Sequence, residues 1–134
     1  MSHFINISEG ASLALHGLAI LARQSPRKTN VKYLAEKLNA SEAHLAKIFQ
    51  RLSKSGLVRS FRGPSGGFVL NRPAEEISFL DIYEIVESKI VPNDCPLNKA
   101  VCTFETCIFG DGLKNISNNV YQTFKTIRLS DFVE

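Results

Sequence analysis

Three cysteines stand close together in this chain, Cys95, Cys102 and Cys107, spaced C-x6-C-x4-C. They lie in residues 90 to 112, a stretch with little periodicity that is broken by Pro92, Pro96, Gly110 and Gly112. Thiolates converging from one loop are what iron–sulfur clusters and zinc sites both use. Zinc sites usually bring their cysteines in closer pairs, C-x2–4-C, which this spacing lacks. Inert cysteines sharing a stretch by chance are the competing reading, and spacing alone leaves it open. An odd, clustered set argues against a disulfide framework. No C-x-x-C occurs and no general base is placed beside a cysteine, so thiol enzymology is not expected and the chain reads as a non-enzyme.

A second constellation is basic. A recognition helix must be narrow on its outer face, polar at its start and backed by an apolar stripe, so that it enters a major groove about 12 Å wide. Residues 41 to 54 meet those needs. Ser41 is placed to cap the helix, Glu42 and His44 lie in its first turn where base edges are reached, and Lys47 lies one turn further. Arg51 and Lys54 are better placed for phosphates. A glycine-tipped hairpin follows, with Arg59 and Arg62 at its base and the small residues Ser65, Gly66 and Gly67 towards its apex. Small residues let backbone N–H groups approach phosphates, and a neighbouring arginine can enter a narrow minor groove. It is not a nucleotide-phosphate loop, because the Gly-Lys-Ser/Thr ending is absent.

The elements that must position these residues are readable from periodicity. Ser8 caps a first helix from about Glu9 to Gln24, apolar nearly all the way round, with Glu9, Ser12 and His16 as its single polar line. Thr29 or Asn30 caps a second helix whose stripe is Val31, Leu34, Ala35 and Leu38. Asn39-Ala40 forms the joint to the third helix, which turns Leu45, Ile48, Phe49 and Leu52 inward and stops at Gly56. Strands are expected over 57–61 and 68–71, and Ser78 opens a fourth helix to about Glu87. A last helix spans about Leu113 to Ile127, with Leu113, Ile116, Val120 and Phe124 on one face, before a terminal turn at 129–132. The expected fold is mainly α with a small β-hairpin: a winged helix-turn-helix plus a long C-terminal dimerisation helix. Residues 1–88 read as the DNA-binding domain, 89–112 as a cysteine-containing cofactor loop and 113–134 as dimerisation helix and terminal turn, all in one compact unit.

The totals agree with that layout. The 134 residues are 44% hydrophobic and 22% charged, a globular composition. The net charge of +3 hides an asymmetry. Residues 1–72 carry 11 lysines and arginines against 3 acids, and residues 73–134 carry 5 against 10. A basic half joined to an acidic half points to a polyanion partner for the first half alone. The longest apolar run, Leu13 to Ala22, is broken by His16 and is too short for a bilayer, so no membrane partner is expected. Met1-Ser2-His3-Phe4 lacks a basic export segment, so export is not expected and a cytoplasmic location is the expectation.

The stretch LAEKLNASEAHLAKIFQRLSKSGLVRSFRGPSGGFVL resembles the winged-helix transcription regulators of the Rrf type, the family of IscR, NsrR, CymR and BadM. The pattern L.K.F..L.K.GLV.S.RGP.GGF.L carries the likeness, which extends over nearly the whole chain. The resemblance implies a homodimer whose C-terminal helices pair and whose recognition helices and wings reach a palindromic operator on double-stranded DNA, with no small-molecule substrate. Iron–sulfur members of that family carry three cysteines in this loop, which implies a [2Fe–2S] or [4Fe–4S] cluster on Cys95, Cys102 and Cys107. Some members complete the ligand set with a histidine three residues after the third cysteine, but Gly110 stands there. Others take a ligand from the partner's first helix, and His16 matches such a histidine in position, with Glu9 nearby. A core histidine bonded to backbone is the plainer reading of His16, and Asp111 or a water are further options for the fourth position. The implied function is a regulator, in the first instance a repressor, whose cluster senses redox state, nitric oxide or cluster supply. The alternative is a cluster-free regulator of the same fold controlled by cysteine oxidation or a protein partner.

Overall fold

A computed structural model describes residues 7–90 and 102–133. The chain forms helix α1 (Glu9–Gln24), α2 (Val31–Leu38) and α3 (Glu42–Lys54), the strands β1 (Val58–Phe61) and β2 (Gly67–Leu70), then α4 (Phe79–Val86) and α5 (Gly110–Thr126). Two 3-10 turns, Ala74–Glu76 and Leu129–Phe132, flank the last two helices. This is the winged helix-turn-helix with an appended long helix that the periodicity implies.

The apolar α1 runs through the core. Ala11, Leu13, Ala14, Leu15, Leu18, Leu21 and Ala22 are buried, and Ser8 Oγ accepts from the Ala11 amide at 3.1 Å to cap its start. Gly17 is where α3 crosses. A Cβ there would lie 2.9 Å from the Phe49 ring, so only glycine lets the recognition helix seat this deeply. Asn30, of the two candidates, caps α2, with its Oδ1 accepting from the Tyr33 amide at 2.8 Å. The joint is made by Asn39 in the left-handed region (φ 49°), followed by an Ala40 N–H to Ala35 carbonyl bond of 3.0 Å. Leu45, Ile48, Phe49 and Leu52 of α3 then face Leu34 and Leu18 in one continuous core.

The hairpin is antiparallel with Val58 opposite Leu70 and Phe61 opposite Gly67; β1 starts one residue later than expected, and β2 keeps its expected length but lies one residue earlier, nearer the tip. Thr29 pairs with the other edge of β2, its N–H reaching the Phe68 carbonyl at 3.0 Å and its carbonyl accepting from the Phe68 N–H at 2.9 Å. The wing is therefore tied to the loop between α1 and α2. Ser78 and Asp81 form a reciprocal capping box at the start of α4, both bonds 3.1 Å. Beyond α5 the chain returns to the core. Phe79 N–H donates to the Ile127 carbonyl and Leu129 N–H to the Ile77 carbonyl, both at 3.0 Å, and Leu129 is fully buried.

α5 begins at Gly110, three residues before its first apolar residue, Leu113, and has no buried residue. Phe124 packs edge-on against Tyr83 at a centroid distance of 5.5 Å, while Ile116 is 40% exposed. No helix among the described residues is long and apolar enough to cross a membrane.

Candidate nucleic-acid interface and cysteine segment

Of the six polar residues expected at the start and outer face of α3, Ser41, Glu42, Lys47, Arg51 and Lys54 are exposed and His44 is half-buried. With 3.6 residues per turn, the direction opposite the buried stripe is shared by Ala43, Lys47, Gln50 and Lys54, all exposed. Glu42 is exposed in the first turn, and Ser41 Oγ accepts from the His44 amide at 3.3 Å, leaving its hydroxyl hydrogen free to donate. His44 and Arg51 lie at one edge of this face. His44 is half-buried towards the start of α1, where a Cβ on Gly10 would lie 4.0 Å from its Nε2. Arg51 is exposed, but its Nη2 donates to the Ile85 carbonyl at the end of α4, 3.0 Å away. Ala43 is the residue that a reading by polarity passes over; the helical wheel is the signal that finds it, beside the polar Gln50.

The wing is built on close backbone approaches. Gly66 N–H donates to the Gly63 carbonyl at 2.9 Å, and a Cβ on Gly66 would fall 2.5 Å from the Phe61 carbonyl oxygen. Gly67, at φ +153°, leaves only 2.9 Å between such a Cβ and the Thr29 carbonyl. Ser65 and Arg62 are exposed at the tip. Arg59 stands beside the Phe61 ring, its guanidinium carbon 5.4 Å from the centroid, and Lys28 Nζ lies 4.4 Å from the same centroid. The Thr29–Phe68 pairing is what brings Lys28 to the wing. That contact joins residues 39 apart in sequence, so no local pattern discloses it. Lys28 and Arg59 thus flank one ring beside the exposed Arg62 and Ser65, while Gly66 is half-buried and Gly67 buried.

Cys102 and Cys107 are free, exposed thiols ahead of α5, and the Cys107 carbonyl accepts from the Gly110 N–H at 3.0 Å. Cys95 lies outside the described residues. Phe104, Ile108 and Phe109 around the two thiols are exposed as well. His16 is exposed on α1 rather than enclosed in the core. Its Nδ1 lies 2.7 Å from the Ser12 carbonyl oxygen. A carbonyl can only accept, so in the neutral ring Nδ1 carries the hydrogen and Nε2 presents its lone pair. Among the described residues no three His, Cys, Asp or Glu side chains of one chain converge as a metal site. His16 instead lines an apolar groove of about 570 Å³ with Leu15, Ile20, Phe79, Phe124 and Phe132.

Residues 7–134 match the model of the Rrf2 family, described as iron-dependent transcriptional regulators. The chain belongs to the Rrf2 family. It is similar to the HTH-type transcriptional regulator IscR of Cereibacter sphaeroides, 34% identical over 80 residues that make up 60% of this chain and 52% of that protein. Among solved structures it resembles CymR, the global cysteine regulator of B. subtilis, with a TM-score of 0.80 and 27% identity over 96% of this chain and 95% of that one. The oxidized form of Staphylococcus aureus CymR matches with a TM-score of 0.76 and 27% identity, covering 97% of both chains. This Rrf2 chain is therefore a helix-turn-helix transcriptional regulator that binds DNA, and its relatives are regulators rather than enzymes.

Proposed function

We propose that this Rrf2 regulator acts as a homodimer on a palindromic operator, as a repressor whose DNA affinity is set by an iron–sulfur cluster on Cys95, Cys102 and Cys107. The observation that carries the reading is that Cys102 and Cys107 are exposed thiols and that the exposed His16, its Nδ1 held by the Ser12 carbonyl, keeps the Nε2 lone pair for a ligand. Thiolate and imidazole are a donor set that iron–sulfur clusters accept. In this reading the set is completed by His16 from a second copy, the position that the family resemblance suggests. The Ser12 carbonyl supports that role by holding the ring in one tautomer, as partners of ligating histidines do. A bound cluster would supply a redox-dependent charge and a cross-link between the cysteine segment and the partner's α1.

The chain's own residues do the rest. α3 offers Ser41, Glu42 and Lys47 to the major groove, while Arg59, Arg62 and the Ser65-Gly66-Gly67 tip follow the backbone into the adjacent minor groove. Dimerisation covers the Leu113–Phe124 face of α5 and the groove beside α1. The units 1–88, 89–112 and 113–134 then act as reader, sensor and coupler within one body. Fixing the cysteine segment against the partner sets the spacing of the two recognition helices, and DNA affinity changes by the difference between the two arrangements.

A second reading, reversible oxidation of the same thiols without a cluster, is favoured by the exposure of Cys102 and Cys107 and by the likeness to the oxidized CymR structure. Protein purified without oxygen decides between them. Bound iron, visible absorption and gel-shift affinity that changes when the cluster is stripped are expected. Colourless, iron-free protein whose affinity follows thiol oxidation would select the second reading, and identical affinity in every state would refute both.

A further inference from the structure

The end of α4 is where three parts of the molecule meet, immediately before the cysteine segment. Ser8, the cap of α1, donates its hydroxyl to the Glu87 carboxylate. The chain turns there through an Ile90 N–H to Glu84 carboxylate bond of 2.9 Å. From the recognition helix, Arg51 Nη2 reaches the Ile85 carbonyl at 3.0 Å. α4 has no basic residue in its own last turn, so Arg51 supplies from another helix the cation that a carbonyl terminus favours.

The spacing within α3 reinforces the contact. His44 and Arg51 are seven residues apart and so lie on one line, two turns apart. His44 turns to the same corner, since the Cβ position of Gly10 sits between its ring and Val86, 4.0 and 3.6 Å away. Both ends of the recognition helix are thereby referenced to α1's start and α4's finish, while Lys47, Gln50 and Lys54 point away.

We infer that Arg51 is a positioning residue, not a phosphate contact: it ties the recognition helix to the carbonyl end of α4 and so transmits the state of the following cysteine segment to the DNA-reading face. The transmission rests on the function proposed above, whereas the tie itself rests only on this geometry. A displacement at Glu87 or Ile90, which hold the α4 terminus, reaches the Ile85 carbonyl, and Arg51 converts that movement into a tilt of α3. By reciprocity, DNA held by α3 steadies the α4 terminus.

The test uses the full chain and its Arg51→Met variant, which keeps the stem and removes the charge and donors. The probe is a duplex selected from random sequence with the wild-type protein. A lost phosphate contact lowers the slope of log affinity against log salt by about 0.9 per protomer. Arg51→Met is expected to weaken binding with the slope essentially unchanged, and a loss of the full contact value overturns the inference. Amide hydrogen exchange at Glu87 and Ile90 gives the second readout. DNA is expected to slow it in the wild type and not in Arg51→Met, and equal slowing in both overturns the inference. If DNA protects these amides only when Arg51 is present, yet cluster-loaded and stripped wild type bind equally, the tie stands and the cluster-sensing reading fails.

Discussion

Thr29 joins the wing to the body through two backbone bonds to Phe68, yet its own hydroxyl is buried with no partner among the described residues. A buried, unpaired hydroxyl carries its desolvation penalty, and valine has nearly the same shape without it. Thr29→Val should therefore stabilise the fold by about 1 kcal/mol, read as a higher urea midpoint at unchanged slope. The same residue shows why part of the interface is hidden in the sequence. Thr29 reads as a helix cap, but Asn30 takes that role, and the pairing with β2 that carries Lys28 to Phe61 is a long-range event. Arg51 is a similar case. Its type and position suggest a phosphate, and only the placement of Ile85 reveals a carbonyl within reach. Ser41, Glu42 and Lys47, by contrast, stand exposed where helical phase puts them.

At the scale of elements, α1, α2, α3 and α4 were legible almost to the residue because each opens on a side-chain cap, followed in α2 and α3 by an apolar stripe of period 3.6 and in α1 by a helix apolar nearly all round. The terminus of α5 was less so. An apolar stripe locates Leu113, whereas the helical backbone starts at Gly110, a residue type that reads as a breaker. Cys95 falls outside the described residues, so the geometry of the full cysteine trio was beyond what either sequence or fold lays out. The exposed face of α5 has a direct consequence. Burying an unpaired carboxylate in an apolar contact costs several kcal/mol, enough to shift an association constant by orders of magnitude. If α5 carries the proposed dimer contact, Ile116→Glu should leave the helix content unchanged and give monomer in sedimentation at micromolar concentration where the wild type gives dimer. A variant that stays dimeric would move the interface away from α5.

The molecule as a whole is divided by charge, with the basic residues in the half that forms the reader and most acids in the half that follows. The two halves are nonetheless one core. Leu129, from the far end of the chain, is as fully enclosed as Leu34 or Leu45 and pairs by backbone with Ile77. Leu129→Ala removes a buried side chain from that junction and should cost about 2–5 kcal/mol, measured by denaturant unfolding, although it lies far from α3 and the wing. A single cooperative transition is expected for the whole chain.

That fastening also limits how such a regulator can be rebuilt. Without the segment around Leu129, the winged portion has an open seam at Ile77, where both a plug and a backbone partner are missing. The winged portion cannot be detached by splicing after α4, and a foreign winged portion grafted onto α5 would not present the surface that the terminal turn closes. If the outer face of α3 reads bases as proposed, new specificities are instead to be sought by exchanging Lys47 and its exposed neighbours in place, with the turn around Leu129 kept together with Ile77.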